Sequence, residues 1–118
     1  MMTIEVARSV LIVEDETELR DSLREVMEDE GYTVLVAADG REALEHLSTV
    51  RPSVVILDLI MPVMSGNEVY DAMQADPELA GIPVIISTSD PSQSPSGVPI
   101  MKKPVNIRRL IELVAQLC

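Results

Sequence analysis

The stretch VVILDLIMPVMSG, residues 54–66, brings four consecutive apolar residues directly to a single carboxylate, Asp58. A short apolar run without polar alternation is typical of a strand buried on both faces, as in a parallel sheet covered by helices. Pro62 and Gly66 follow this run and predict a turn. The segment therefore predicts a buried strand whose carboxyl end holds one aspartate at the edge of a sheet.

The chain as a whole has the size and composition of one globular domain. Its 118 residues are 47% hydrophobic and 25% charged, which fits a single domain over 1–118 with a flexible N-terminal tail over 1–8. No apolar run approaches the ~18 residues of a membrane span, so we expect no membrane insertion. The N-terminus lacks the apolar core of a signal peptide, so we expect a cytoplasmic location.

Charge and cysteine content exclude further classes. The net charge of -11 argues against nucleic-acid binding by this domain, because such binding relies on basic patches. Cys118 is the only cysteine, so an internal disulfide is excluded.

Strand-like and helix-like segments alternate along the chain. Apolar, β-branched runs predict five strands, at 9–15, 32–38, 53–57, 84–88 and 98–102. Helical spacing of apolar residues predicts four helices, at 17–31, 39–50, 67–75 and 106–117, the last capped by Asn106. This alternation predicts a parallel five-stranded sheet with helices on both faces. Residues 89–99 hold three prolines, four serines and a glycine, which predict an irregular loop in place of a helix.

Acidic side chains follow two of the predicted strands. Glu14 and Asp15 come at the end of the first strand, and Asp58 ends the third. In a sheet of order 2-1-3-4-5 these strands are neighbours about 4.8 Å apart, and ligands bind at this edge. Two carboxylates about 5 Å apart repel by about 3 kcal/mol at an effective dielectric near 20, so the cluster favours a bound cation. Oxygen ligands suit Mg²⁺.

Two further polar groups are expected at the same edge. Thr88 ends the fourth strand, and Lys102 and Lys103 follow the fifth. Because successive strand residues face opposite sides, only one of the two lysines can reach the crevice. Taken singly, Asp15 is equally well explained as a helix cap, and Thr88 is better explained as a structural residue. Taken as a set, these groups favour phosphoryl transfer to Asp58, with charge neutralised by the cation, the hydroxyl and the ammonium.

The same segments resemble the receiver domain of two-component response regulators, over Val10 to Leu117. The resemblance is carried by LIVEDE (11–16), AADGREAL (37–44), ILDLIMPVMSG (56–66), PVIIST (83–88) and KKP (102–104). It implies a flavodoxin-like, doubly wound α/β fold with strand order 2-1-3-4-5. It also implies a switch in a phosphorelay and not an enzyme acting on other substrates, since such a domain catalyses only its own phosphorylation and dephosphorylation.

The resemblance further implies roles for single residues. Asp58 would accept a phosphoryl group from a histidine kinase or histidine phosphotransferase, with Thr88 and Lys103 as the other catalytic residues. The Lys103–Pro104 peptide bond would be cis.

The resemblance also implies a Mg²⁺ site. Its ligands would be Asp15, Asp58 and the backbone carbonyl of Ile60, with Glu14 acting through water.

The sequence also departs from the family pattern. The fourth helix would normally lie where residues 89–99 are, Ile100 stands where an aromatic residue is usual, and Val105 replaces a common phenylalanine. We expect either that output uses another face of the domain or that the phosphorylation state is read through a change in the order of the 89–98 loop.

Two alternatives remain open at this stage. The chain could be a pseudo-receiver, an interaction module that is never phosphorylated. An aspartyl phosphohydrolase is disfavoured, because Ile60 stands where a second aspartate would act as acid and base. The kinase, the downstream protein, the oligomeric state and the completeness of the chain are not determined by the sequence.

Overall fold

A computed structural model describes residues 4–5, as backbone only, and residues 8–118. The strands are β1 (Ile4–Glu5), β2 (Ser9–Val13), β3 (Thr33–Ala37), β4 (Val50–Arg51), β5 (Val54–Asp58), β6 (Val84–Thr88) and β7 (Ile100–Lys102). The α-helices are α1 (Thr17–Asp29), α2 (Gly40–Leu47), α3 (Gly66–Ala75) and α4 (Ile107–Leu117).

Five of the strands form one parallel sheet in the order β3-β2-β5-β6-β7. This is the predicted order 2-1-3-4-5, counted over the five long strands, and it confirms the flavodoxin-like fold. The strands β2, β5 and β6 are buried at every position, which explains why they are apolar without alternation.

Alternate residues of the sheet enter two separate cores. In β5, Leu57 packs in the core that includes residues of α2 and α3. Its neighbour Ile56 packs in the core that includes residues of α1 and α4. The helices therefore cover both faces, and Asp58, two residues after Ile56, continues the α1/α4 face at the carboxyl edge of the sheet.

The segment between β6 and β7 is irregular, as predicted. Residues 89–99 contain only a single 3-10 turn, Pro91–Gln93, whose N-cap is Asp90. The chain then enters β7, and the Lys103–Pro104 peptide bond is cis, as the resemblance implies.

The predicted end of the second helix needs correction. The second helix was predicted over 39–50 but ends at Leu47, because Val50–Arg51 pair in parallel with Ile4–Glu5 to form a second, two-stranded sheet. The same pairing places the two-residue strand β1 within the segment 1–8, whose predicted flexibility stays a prediction. Residues 1–3 and 6–7 lie outside the described residues.

Gly66 marks a close approach between the start of α3 and the end of β5. Its N–H donates to the carbonyl oxygen of Leu59 (3.0 Å). A Cβ at Gly66 would overlap the carbonyl oxygen of Asp58 and lie 2.7 Å from the Cα of Leu59. Because both neighbours are backbone atoms, they cannot rotate away, and the position requires glycine.

We expect Gly66→Ala to lower the free energy of unfolding by about 2 kcal/mol, because the added methyl forces the backbone at Asp58 to shift. Gly81→Ala is the matched control, since a Cβ there meets nothing within 4 Å. Urea denaturation of both variants measures the difference. Equal stability of the two variants would contradict the assigned contact.

Candidate functional site

Three carboxylates meet at the carboxyl edge of the sheet. One oxygen from each of Glu14, Asp15 and Asp58 lies within 4.8 Å of the others. The register of β2 and β5 pairs Val13 with Leu57, which sets the next residues, Glu14 and Asp58, side by side. Glu14 and Asp58 are 2% and 3% exposed, whereas Asp15 is exposed to solvent. The cluster is therefore a buried pair with one solvent-accessible member.

Lys103 is the lysine that reaches these acids. Its Nζ lies 2.7 Å from Oε1 of Glu14 and 3.4 Å from Oδ2 of Asp58. Lys102, which ends β7, has an exposed side chain. One ammonium group is thus shared between two buried carboxylates, which offsets part of their mutual repulsion.

Glu14 is held by contacts on both of its carboxylate oxygens. Oε1 faces Lys103, and Oε2 accepts a hydrogen bond from the Glu16 N–H (3.1 Å). The Arg20 guanidinium also donates to the backbone carbonyls of Glu14 (3.0 Å) and Asp15 (3.4 Å). The sequence analysis did not identify Arg20. Its position in the first turns of α1, shortly after the acidic pair, could have indicated this contact.

The ionisation of Asp58 is strongly perturbed. Burial, followed by the negative charge of Glu14, raises the pKa of Asp58 from 3.8 to about 7, although the Lys103 charge and the hydrogen bond from the Ile60 N–H to Oδ1 (3.2 Å) act in the opposite direction. Burial alone would lower the pKa of Lys103, but its contacts with Glu14 and Asp58 outweigh burial and raise it. The carboxyl group of Asp58 can therefore gain or lose a proton near neutral pH.

Thr88 is buried at the same edge, but its hydroxyl bonds to the loop and not to the acids. Its Oγ1 accepts from the Asp90 N–H (3.1 Å) and lies 3.4 Å from the Asp90 carbonyl oxygen, to which it can donate. Oδ1 of Asp90 in turn accepts from the N–H (3.1 Å) and the hydroxyl (2.6 Å) of Ser92. Asn67 on α3 donates to the Gln93 carbonyl (3.0 Å), so the 3-10 turn is linked both to Thr88 and to α3.

The donor set fits a hard divalent cation. Convergent carboxylate oxygens are the ligands that Mg²⁺ accepts, and Mg²⁺ keeps several waters, so few protein ligands are needed. Asp15 is the member of the cluster that is exposed to solvent. Both oxygens of Glu14 already have protein partners, which suits an indirect role for that residue.

The fold agrees with the comparison with known families. The profile described as "Response regulator receiver domain" matches residues 10–115. The chain belongs to this family.

Among curated relatives, the receiver domain is similar to the response regulator MprA of Mycolicibacterium vanbaalenii. The two are 36% identical over 85 residues, which cover 72% of this chain and 36% of MprA. It is also 38% identical over 84 residues to the sensor histidine kinase TmoS of Ectopseudomonas mendocina, covering 71% of this chain and 8% of TmoS. The chain thus spans about a third or less of the length of these two relatives.

Solved receiver structures superpose closely on the chain. The receiver domain of a signal transduction histidine kinase from Syntrophus aciditrophicus has a TM-score of 0.86 at 34% identity, covering 94% of this chain and 89% of that one. The response regulator TrrA of Thermotoga maritima, in complex with Mg²⁺ and BeF, has a TM-score of 0.84 at 28% identity, covering 94% and 99%. In the part of this chain that the structure describes, no helix is long and apolar enough to cross a membrane.

The raised pKa of Asp58 predicts a pH-dependent stability in metal-free protein. In the unfolded chain this carboxyl ionises near pH 3.8, and in the folded protein near pH 7. Its contribution to stability is therefore complete at acidic pH and is lost as pH rises through about 7. Asp58→Asn removes this dependence. We expect the free energy of unfolding of Asp58→Asn, minus that of the wild type, to increase by roughly 2–3 kcal/mol between pH 5 and pH 8.

Denaturation of both proteins in EDTA at the two pH values measures this difference. The Asp71→Asn variant, at an exposed site on α3, is the control and should show no such change. Parallel pH profiles for the wild type and Asp58→Asn would contradict the raised pKa.

Proposed function

We propose that this receiver domain is a phosphoacceptor switch that takes a phosphoryl group on Asp58 from a histidine kinase or histidine phosphotransferase. The observation that carries the proposal is the contact of one buried aspartate with two further carboxylates and the ammonium of Lys103. A structural aspartate needs no such surroundings, because burying like charges together costs stability. A group that must be charged, phosphorylated and discharged requires them.

The transfer uses Asp58 as the nucleophile. One oxygen of Asp58 forms a bond to phosphorus while the bond between phosphorus and the donor nitrogen breaks, and the electron pair of that bond stays with the donor imidazole. Lys103 neutralises negative charge on the transferring oxygens, and Thr88 supplies a hydroxyl donor once it leaves Asp90.

Mg²⁺ is the proposed cofactor of this site. Asp15, Asp58 and the backbone carbonyl of Ile60 would hold it, with Glu14 acting through water. When bound, the ion supplies charge neutralisation on the phosphoryl oxygens. The structural support is the convergence of three carboxylates at one point of the sheet edge.

Hydrolysis of the acyl phosphate resets the switch. Water attacks phosphorus, inorganic phosphate leaves and the carboxylate returns, so the domain acts only on itself. The proposed setting is a cytoplasmic two-component pathway, with an unidentified downstream protein as the reader. The net charge of -11 makes nucleic acid an unsuitable partner for this domain.

The pseudo-receiver alternative is less well supported. A module that is never phosphorylated has no need to keep Glu14, Asp15, Asp58 and Lys103 together in a costly cluster.

Incubation with acetyl phosphate and Mg²⁺ tests the proposal directly. We expect intact mass to show one added phosphoryl group on the wild type, because Asp58 lies at the carboxyl edge of the sheet beside the solvent-exposed Asp15. The addition should be abolished in Asp58→Asn, retained in the exposed-site control Asp71→Asn, and lost when EDTA removes the metal. A wild type that stays unmodified under saturating donor and Mg²⁺ would support the pseudo-receiver alternative instead.

We further propose that the 89–98 loop reads the phosphorylation state. The hydroxyl of Thr88 bonds to the backbone of Asp90, which caps the 3-10 turn Pro91–Gln93. If Thr88 turns towards the phosphoryl group, it gives up these bonds and the turn is loosened. Because Asn67 holds Gln93, the change would extend to the surface between the loop and α3.

Hydrogen exchange with Mg²⁺ and beryllium fluoride, used as a phosphoryl mimic, tests this loop proposal. We expect faster exchange of the Gln93 and Ser94 amides, whose acceptors are the carbonyls of Asp90 and Pro91. Thr88→Val should abolish the difference, and the exposed-site control Thr49→Val should retain it. Unchanged exchange in the mimic-bound wild type would rule out reading through this loop.

A further inference from the structure

One buried hydroxyl lies beside the phosphoacceptor without a hydrogen-bond partner. Among the described residues, the buried side-chain polar atoms that lack a partner are Oγ of Ser87 and Oγ of Ser94. Ser94 belongs to the irregular segment after β6, whereas Ser87 lies within β6 and is 2% exposed. An unsatisfied buried hydroxyl lowers stability, and an alanine of nearly the same shape would avoid the cost.

The sheet register places Ser87 next to Asp58. The two residues are paired in the ladder between β5 and β6. Ser87 continues the face of Ile85, as Asp58 continues that of Ile56, and both apolar residues belong to the α1/α4 core. Side chains of paired residues in a parallel sheet stand on the same face, with backbones about 4.8 Å apart. A rotation about χ1 is therefore enough to bring the Ser87 hydroxyl to the Asp58 carboxyl group.

The position of Lys103 explains why the Ser87 hydroxyl does not bond to Asp58 in the unphosphorylated protein. Its backbone N–H donates to the Thr88 carbonyl (2.9 Å), so its side chain starts beside β6. Its Nζ reaches Oδ2 of Asp58 on β5 (3.4 Å). While the ammonium lies at that oxygen, it already offsets part of the negative charge there. When Lys103 moves to the phosphoryl oxygens, Oδ2 of Asp58 loses its partner.

We propose that Ser87 then donates a hydrogen bond to the carboxyl group of Asp58 and assists dephosphorylation. This inference rests on the proposed function of Asp58. In the step concerned, the water oxygen bonds to phosphorus, the bond between phosphorus and the Asp58 oxygen breaks, and its electron pair remains on Asp58. The protons of water leave with the phosphate. A donor at Asp58 stabilises the carboxylate charge that develops as the bond breaks.

The same reasoning predicts a selective effect on hydrolysis, which is a separate reaction from loading. Before loading, Asp58 is a carboxylate with Lys103 beside it, so the Ser87 hydroxyl has little to add. During hydrolysis the carboxylate is the leaving group and its charge grows towards the transition state. Removing the hydroxyl should therefore slow the decay of the acyl phosphate and leave its formation nearly unchanged.

The experiment compares the full chain with Ser87→Ala, Ser87→Thr and the control Ser94→Ala. Each protein is loaded with acetyl phosphate and Mg²⁺, the donor is removed, and intact mass follows the loss of phosphate. We expect the half-life of the Ser87→Ala phosphoprotein to be at least roughly threefold longer, with a loading rate within roughly twofold of the wild type. Ser87→Thr, which keeps a hydroxyl, should decay nearly as the wild type does, and so should Ser94→Ala.

Thermal unfolding separates this role from a structural one. Ser87→Ala should unfold at the same temperature as the wild type or higher, because the hydroxyl has no partner in the folded protein. A loaded Ser87→Ala protein that decays at the wild-type rate, or an equal slowing in Ser94→Ala, would overturn the inference while leaving Asp58 as phosphoacceptor. A wild type that takes up no phosphate would overturn the proposed function, and the role of Ser87 with it.

Discussion

The contact of the Lys103 ammonium with the carboxylates of Glu14 and Asp58 is the interaction on which the site depends. Two buried carboxylates side by side repel one another strongly in a medium of low dielectric constant, and a single ammonium between them offsets much of that repulsion. The ammonium does not neutralise the site fully. Burial and Glu14 still hold the pKa of Asp58 near 7, which keeps the group responsive to a cation or a phosphoryl group.

The fold supplies this arrangement with rigid supports. Asp58 ends a strand buried at every position, and its backbone lies against Gly66 at the start of α3. Its neighbours Glu14 and Lys103 directly follow β2 and β7 of the same sheet. The segment between β6 and β7 is held in a different way. Where a further helix would cover β6 and β7, a short 3-10 turn is held by Thr88 and Asn67. Asp58 is therefore fixed by strands, whereas the segment beside it is held by a few polar contacts, which are easier to rearrange.

Much of the fold could be predicted because its signals are local. The apolar runs gave the five strands of the main sheet, and the proline- and serine-rich composition of residues 89–99 gave the irregular segment. The predictions failed where partners are distant. Val50 was placed in a helix because the sequence around it continues a helical pattern, but pairing with Ile4 makes it a strand residue. Ser87 was missed for the same reason, since its role depends on Asp58, its neighbour on the adjacent strand.

For the site, the sequence by itself determined which chemical groups stand at the ends of strands: Glu14, Asp15, Asp58, Thr88 and a lysine. Alternation along a strand also showed that only one lysine of the pair could face the crevice. The tertiary structure decided that this lysine is Lys103, that it bridges to Glu14 across 89 positions of the chain, and that the Thr88 hydroxyl faces the loop. The physical reason is the separation along the chain over which each kind of signal acts. Periodicity and composition report on residues within a few positions of one another, whereas strand register and side-chain reach decide which distant groups share one crevice.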